Sequence, residues 1–229
     1  MKSSLAILLA LQAFCFGATL EFKESTKSQT ATADATKVTT DFEFTNNSDQ
    51  PVTIDKCEPT CSCLAVQVSG GKMKYAPGES GVIRTIFDVG NATGTVEKGV
   101  AIYLENDPKD KPSLHLQANI IIPVLVALEP KTLSWDIGGN ADEKTIHIRM
   151  AEGNLIHVTG IELKDSFKYE LKTIEKGISY DLLVTPKTTA AADLGIIRIE
   201  TDSSIAKQKV QQAFVVVRKP IHVKDVTQK

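Results

Sequence analysis

"TTDFEFTN", residues 39–46, sets Phe42 and Phe44 two positions apart among polar neighbours. A period of two puts both rings on one face of an extended strand and leaves Asp41 and Glu43 on the other. The same habit runs outward along the chain, in "VIRTIFDV" (82–89), "GVAIYLEND" (99–107), "SLHLQANIII" (113–122), "KTIHIRM" (144–150), "YDLLVTP" (180–186), "GIIRIETD" (195–202) and "QQAFVVV" (211–217). Turn residues separate these runs, and no sustained 3.6-residue period with capping boxes occurs. The Ala-rich piece "TTAAADLG" (188–195) is too short and too near Gly195 to hold a helix. The fold class is all-β.

The second half repeats the first in six ordered blocks. "TLEF" (19–22) matches "TLSW" (132–135), and "KVTTDFEF" (37–44) matches "EKTIHIRM" (143–150). "PVTIDKCEPTCSC" (51–63) aligns with "IHVTGIELKDSFKY" (156–169), and "GVIRTIFDV" (81–89) with "ISYDLLVTP" (178–186). "GTVEKGVAIYLEND" (94–107) then falls on "AADLGIIRIETDS" (191–203), and "KPSLHLQANIIIP" (111–123) on "AKQKVQQAFVVVRKP" (206–220). About seven strands per hundred residues is the strand density of an immunoglobulin-like sandwich, so the chain reads as two tandem copies of one. The division is a signal peptide at 1–17, a first domain at 18–123, a second at 124–220 and a tail at 221–229. Leu133, Trp135, Ile146, Ile148 and Val216 are the expected core of the second.

Lys2 followed by the apolar run Leu5–Leu11 has the form of a secretory signal, cut after Gly17 or Ala18, and either cut removes Cys15. The longest later apolar run, Ile120–Leu128, is broken by Pro123 and falls short of the ~20 residues a membrane span needs. The expectation is an exported protein, periplasmic or secreted, with no transmembrane segment. A net charge of −2 without blocks of like charge offers nothing to nucleic acid, which leaves an unknown protein or envelope component as partner.

The ordered set Phe42, Phe44, Asn46, Pro51, Ile54, Cys61, Cys63, Pro77, Gly78, Glu79, Ser80, Phe87 and Asp88 resembles the bacterial DUF1573 family. The resemblance covers the first domain only and implies an immunoglobulin-like fold. It departs from the family at Ser62 and Leu64, where the usual order is Cys-Gly-Cys-Thr, and at the additional Cys57. The family has no settled biochemical role, so the resemblance implies no activity.

The residue patterns point to no enzyme. The histidines at 115, 147, 157 and 222 form no metal-ligand spacing, and neither a nucleophile elbow nor a phosphate loop occurs. His147 and His157 read as exposed strand positions. "APGES" (76–80) reads as a turn in which Glu79 and Ser80 serve free backbone donors, and "NDPKDKP" (106–112) as a plain hairpin tip. Trp135, matched to Phe22, reads as a core or inter-domain anchor.

"CEPTCSC" (57–63) stands apart, because the second copy has "IELKDSF" there and no thiol at all. The cysteines therefore serve something beyond the shared sandwich. One use is a disulfide joining Cys57 to Cys61 or Cys63 across the Pro59 turn. A Cys61–Cys63 bond is the less expected pair, because two residues apart on a strand would close a small strained ring. A second use is a trigonal thiolate set of Cys57, Cys61 and Cys63 for copper or zinc, and a third is thiol–disulfide exchange. No other cofactor is indicated.

Overall fold

The computed structural model describes residues 19–220. The expected signal peptide with Cys15, and the tail 221–229 with His222, lie outside the described residues. The chain forms two compact units: 19–29, Lys37–Val89 and Thr95–Ile120 in the first, and Thr30–Thr36, Gly90–Gly94 and 121–220 in the second.

The strands are β1 (Glu21–Phe22), β2 (Thr26–Thr30), β3 (Lys37–Thr45), β4 (Val52–Pro59), β5 (Leu64–Val68), β6 (Lys74–Tyr75), β7 (Ser80–Asp88), β8 (Gly94–Leu104) and β9 (Leu114–Ile122). They continue as β10 (Val126–Glu129), β11 (Thr132–Asp136), β12 (Lys144–Met150), β13 (Val158–Glu162), β14 (Phe167–Glu175), β15 (Ser179–Pro186), β16 (Asp193–Thr201) and β17 (Val210–Arg218). The first nine make sheets in the orders β1-β3-β7-β5 and β2-β9-β8-β4-β6. The last eight make sheets in the orders β10-β12-β15-β14 and β11-β17-β16-β13. Matched place for place, the two sets are one topology, with only the short β6 added in the first copy. It is the immunoglobulin arrangement, with A-B-E-D in one sheet and C-F-G in the other, where β2 or β11 is added beside G.

Alternation sets what each sheet buries. On β3, Val38, Thr40, Phe42 and Phe44 face inward, and Ile83, Thr85 and Phe87 do so on the neighbouring β7. In the second unit Ile146, Ile148, Leu182, Val184, Ile197, Ile199, Val215 and Val217 are almost completely buried together with Trp135. Val216 is not among them: Val215 and Val217 take the inward positions on β17, and a one-residue offset reverses the face.

Five of the six repeat blocks fall on equivalent strands, and "TLEF" with "TLSW" does not. β1 pairs with β3, whereas Leu133 and Trp135 lie on β11, which runs parallel to β17. The equivalent of β11 is β2, and that of β1 is β10. Short strands with similar alternation look alike in sequence, and the partner that distinguishes them lies far along the chain. Phe22 packs on Phe44 with ring centroids 5.3 Å apart, while Trp135 packs on Phe167 at 5.9 Å and donates Nε1–H to the Asp142 carbonyl at 2.7 Å.

Candidate functional site

The cysteine cluster divides into two environments. Cys57 lies on β4 opposite Ile102 of β8, and residues directly opposite share a face. Ile102 is fully buried, so the Cys57 thiol points toward the apolar interior, where burial pushes its pKa up to about 11. It is a free, half-buried thiol, and the raised pKa leaves a smaller share of reactive thiolate at neutral pH than an exposed cysteine has.

Cys61 and Cys63 are bonded to each other. This corrects the expected pairing of Cys57 with one of them. The reason lies in the backbone: β4 ends at Pro59, and residues 61–63 form a turn instead of continuing the strand. Extended chain would hold the two Cα atoms roughly 6.6–7.2 Å apart, at or past the limit for a disulfide. The turn brings them to 5.2 Å.

Four backbone-directed hydrogen bonds hold that turn. Leu64 N donates to Cys61 O at 3.2 Å, and Asp88 N at the end of β7 donates to Cys63 O at 2.9 Å. On the entering side Thr60 N donates to Gly99 O at 3.0 Å, and Gly99 N returns a bond to Thr60 Oγ1 at 3.1 Å. Ser62 is exposed and both cysteines are partly so. Thr60 also forms part of the wall of an open groove of about 620 Å³, together with Lys98, His115 and Gln117.

With Cys61 and Cys63 joined and Cys57 turned inward, the three sulfurs are not a three-thiolate set in this structure. Among the described residues no cluster of three or more His, Cys, Asp or Glu side chains is placed to hold a metal ion.

The remaining motif residues build the framework around this turn. Asn46 is fully buried, donating Nδ2–H to the carbonyls of Gln50 and Tyr75, each at 2.9 Å, and accepting at Oδ1 from Ser48 N (3.0 Å) and Ser48 Oγ (2.6 Å). Its backbone closes on "APGES": Asn46 N donates to Glu79 O at 2.9 Å and Gly78 N to Asn46 O at 2.7 Å. Glu79 accepts from Ala76 N at 3.0 Å and pairs with Lys72, and these contacts, the lysine first, hold its carboxyl below the usual range. Ser80 differs from the turn reading, since its hydroxyl meets Thr45 Oγ1 at 2.8 Å across the strand pair. Gly81 faces Phe44 across β3 and β7, and a Cβ there would lie 2.5 Å from Phe44 Cζ and 2.7 Å from Tyr75 Cε1.

Two other expectations resolve similarly. At the 106–112 tip, Asp107 accepts from Leu104 N at 2.9 Å and Ser113 N at 2.8 Å, so the loop's own donors occupy its carboxylate. His147 is an exposed strand residue bonded to Asp181 at 2.9 Å. His157 departs from its reading, because it precedes β13 and is half-buried against Asp202, Nδ1 to Oδ2 at 2.8 Å. The Asp202 partner is 45 residues away in sequence, and alternation gives no sign of it.

The first unit is thus an immunoglobulin-like sandwich with a disulfide in the turn between β4 and β5. Residues 20–120, which cover the strands of the first unit and are less than half of the chain, match the family model described as "Protein of unknown function (DUF1573)". No curated protein matches the sequence. Among solved structures, a protein of unknown function from Porphyromonas gingivalis W83 is 9% identical, with 88% of this chain and 99% of that one covered and a TM-score of 0.34. The E. coli chaperone DraB is 11% identical, with 87% and 97% covered and a TM-score of 0.33. These likenesses are remote, and the fold rests on the strand order itself.

Proposed function

We propose that the protein is exported to the bacterial cell envelope, periplasmic or secreted, and acts there as a non-catalytic binding or structural module. The supporting observation is the outer face of the β11-β17-β16-β13 sheet. Leu194 and Ile196 on β16 are 64% and 50% exposed, and Phe214, opposite Ile196 on β17, is 39% exposed. The outward face of an antiparallel sandwich strand is ordinarily polar, and adjoining apolar side chains there mark a surface that another molecule covers. Copper or zinc enters this reading only through a reduced Cys61–Cys63 pair, and the binding role requires neither.

Fractionation tests it. The wild type is expected outside the cytoplasm and partly retained on sedimentable envelope material. The double variant Ile196→Glu, Phe214→Glu, with an unchanged melting temperature, is expected to be released. Cytoplasmic retention of the wild type removes the export reading, and equal retention of wild type and variant removes the binding role of this face.

A further inference from the structure

The molecule contains its own control for the cysteine turn. In the second unit Phe167 N donates to Lys164 O at 3.1 Å and Lys187 N to Ser166 O at 2.8 Å. These are the counterparts of Leu64 N to Cys61 O and Asp88 N to Cys63 O. They connect equivalent strands, β13 to β14 and β14 to the end of β15. The hydrogen bonds set Cys61-Ser62-Cys63 against Lys164-Asp165-Ser166, one residue from the register read along the sequence. The same turn therefore stands in the second copy with no sulfur in it.

A staple is also weak here on general grounds. Cross-linking lowers the entropy of the unfolded chain by an amount that grows with the loop enclosed, and this loop has a single intervening residue. The bond lies in a partly exposed turn whose backbone is already held on both flanks, so the protein can lose it without losing the turn. Two thiols kept side by side by such a frame can close again readily.

We infer that Cys61–Cys63 is a reversible thiol–disulfide exchange site whose partner is a protein dithiol, independent of the apolar face of the second unit. A partner thiolate attacks one of the two sulfurs; the intramolecular S–S bond breaks as the intermolecular one forms, and the other cysteine leaves as a thiolate. The partner's second thiol then attacks the mixed disulfide, forming the partner's own disulfide. The Cys61–Cys63 pair gains two electrons and two protons, and the dithiol loses the same. Cys57 takes no part, because its thiol is turned into the apolar interior.

The test uses the full mature chain and dithiothreitol as the dithiol probe. Native protein is treated with dithiothreitol, alkylated with iodoacetamide and mapped by mass. Two labels are expected, on Cys61 and Cys63, with none on Cys57, and the melting temperature is expected to stay within ~2 °C of the oxidised form. Oxidised glutathione should restore the bond, and Cys63→Ser should hold one glutathione on Cys61. A triple variant carrying the second copy's turn, Cys61→Lys, Ser62→Asp, Cys63→Ser, should fold and melt with the wild type. A bond that resists the dithiol until the chain is denatured, or a triple variant or reduced form that melts more than ~5 °C lower, makes the disulfide a structural staple and overturns the inference.

Discussion

Asn46 donates its side-chain amide to the backbone carbonyl of Tyr75 at 2.9 Å, joining the loop after β3 to the end of β6 across 29 residues of sequence. The same side chain serves Gln50 and Ser48, so every polar atom of a fully buried amide is used. Asn46→Ala leaves two carbonyls and two donors without it. The expected cost is about 2–4 kcal/mol, since each buried group left unpaired loses about 1–3 kcal/mol and some will find water. Urea denaturation of the variant checks this, and a change below ~1 kcal/mol would mean that the loop rearranges around its own donors.

Gly81 and Gly78 lie three residues apart and are required for different reasons. At Gly81 an added methyl meets the rings of Phe44 and Tyr75, both almost completely buried, so Gly81→Ala is expected to cost about 1–3 kcal/mol through overpacking. At Gly78 there is open space but φ is 77°, and Gly78→Ala is expected to cost about 1–2 kcal/mol through backbone strain alone. Adding a second change, Phe44→Leu, should relieve part of the Gly81→Ala loss and none of the Gly78→Ala loss. An equal effect on both would show that packing is not what Gly81 protects.

Cys57 gives a stability change at alkaline pH. The folded chain holds its proton more tightly than the unfolded chain, so between the ordinary thiol value near 9 and about 11 the folded form binds more protons. Stability therefore falls as pH rises through that window. Cys57→Ala, compared with wild type over the same range, should show a shallower fall. Identical slopes would place the thiol in contact with solvent.

Asp202 gives the opposite limb. The His157 backbone amide, at 2.7 Å from Oδ1, and then the ring at 2.8 Å from Oδ2, hold its carboxyl below the usual aspartate value. That contribution is present above about pH 4 and is lost as pH falls through the lowered value. Thermal melts of Asp202→Asn should depend less on pH below 4 than those of the wild type. A wild-type acid limb that survives the substitution unchanged would assign it to other carboxylates.

The class of fold was legible in residues 39–46 and their like, because a period of two fixes which side chains face inward whatever the strand's partners are. The duplication was legible too, since five blocks retain their strand positions. The order of strands was not: "TLEF" and "TLSW" share a pattern but pair with different neighbours, and hydrogen bonds to β3 or β17 leave no mark in four residues. At the cysteines the sequence supplied the contrast between copies, while the pairing came from the backbone. Whether residues 60–63 extend the strand or turn depends on Asp88 reaching Cys63 from β7 and Gly99 reaching Thr60 from β8. Those partners are 25 and 39 residues away, and they decide that Cys61 meets Cys63 while Cys57 faces the core.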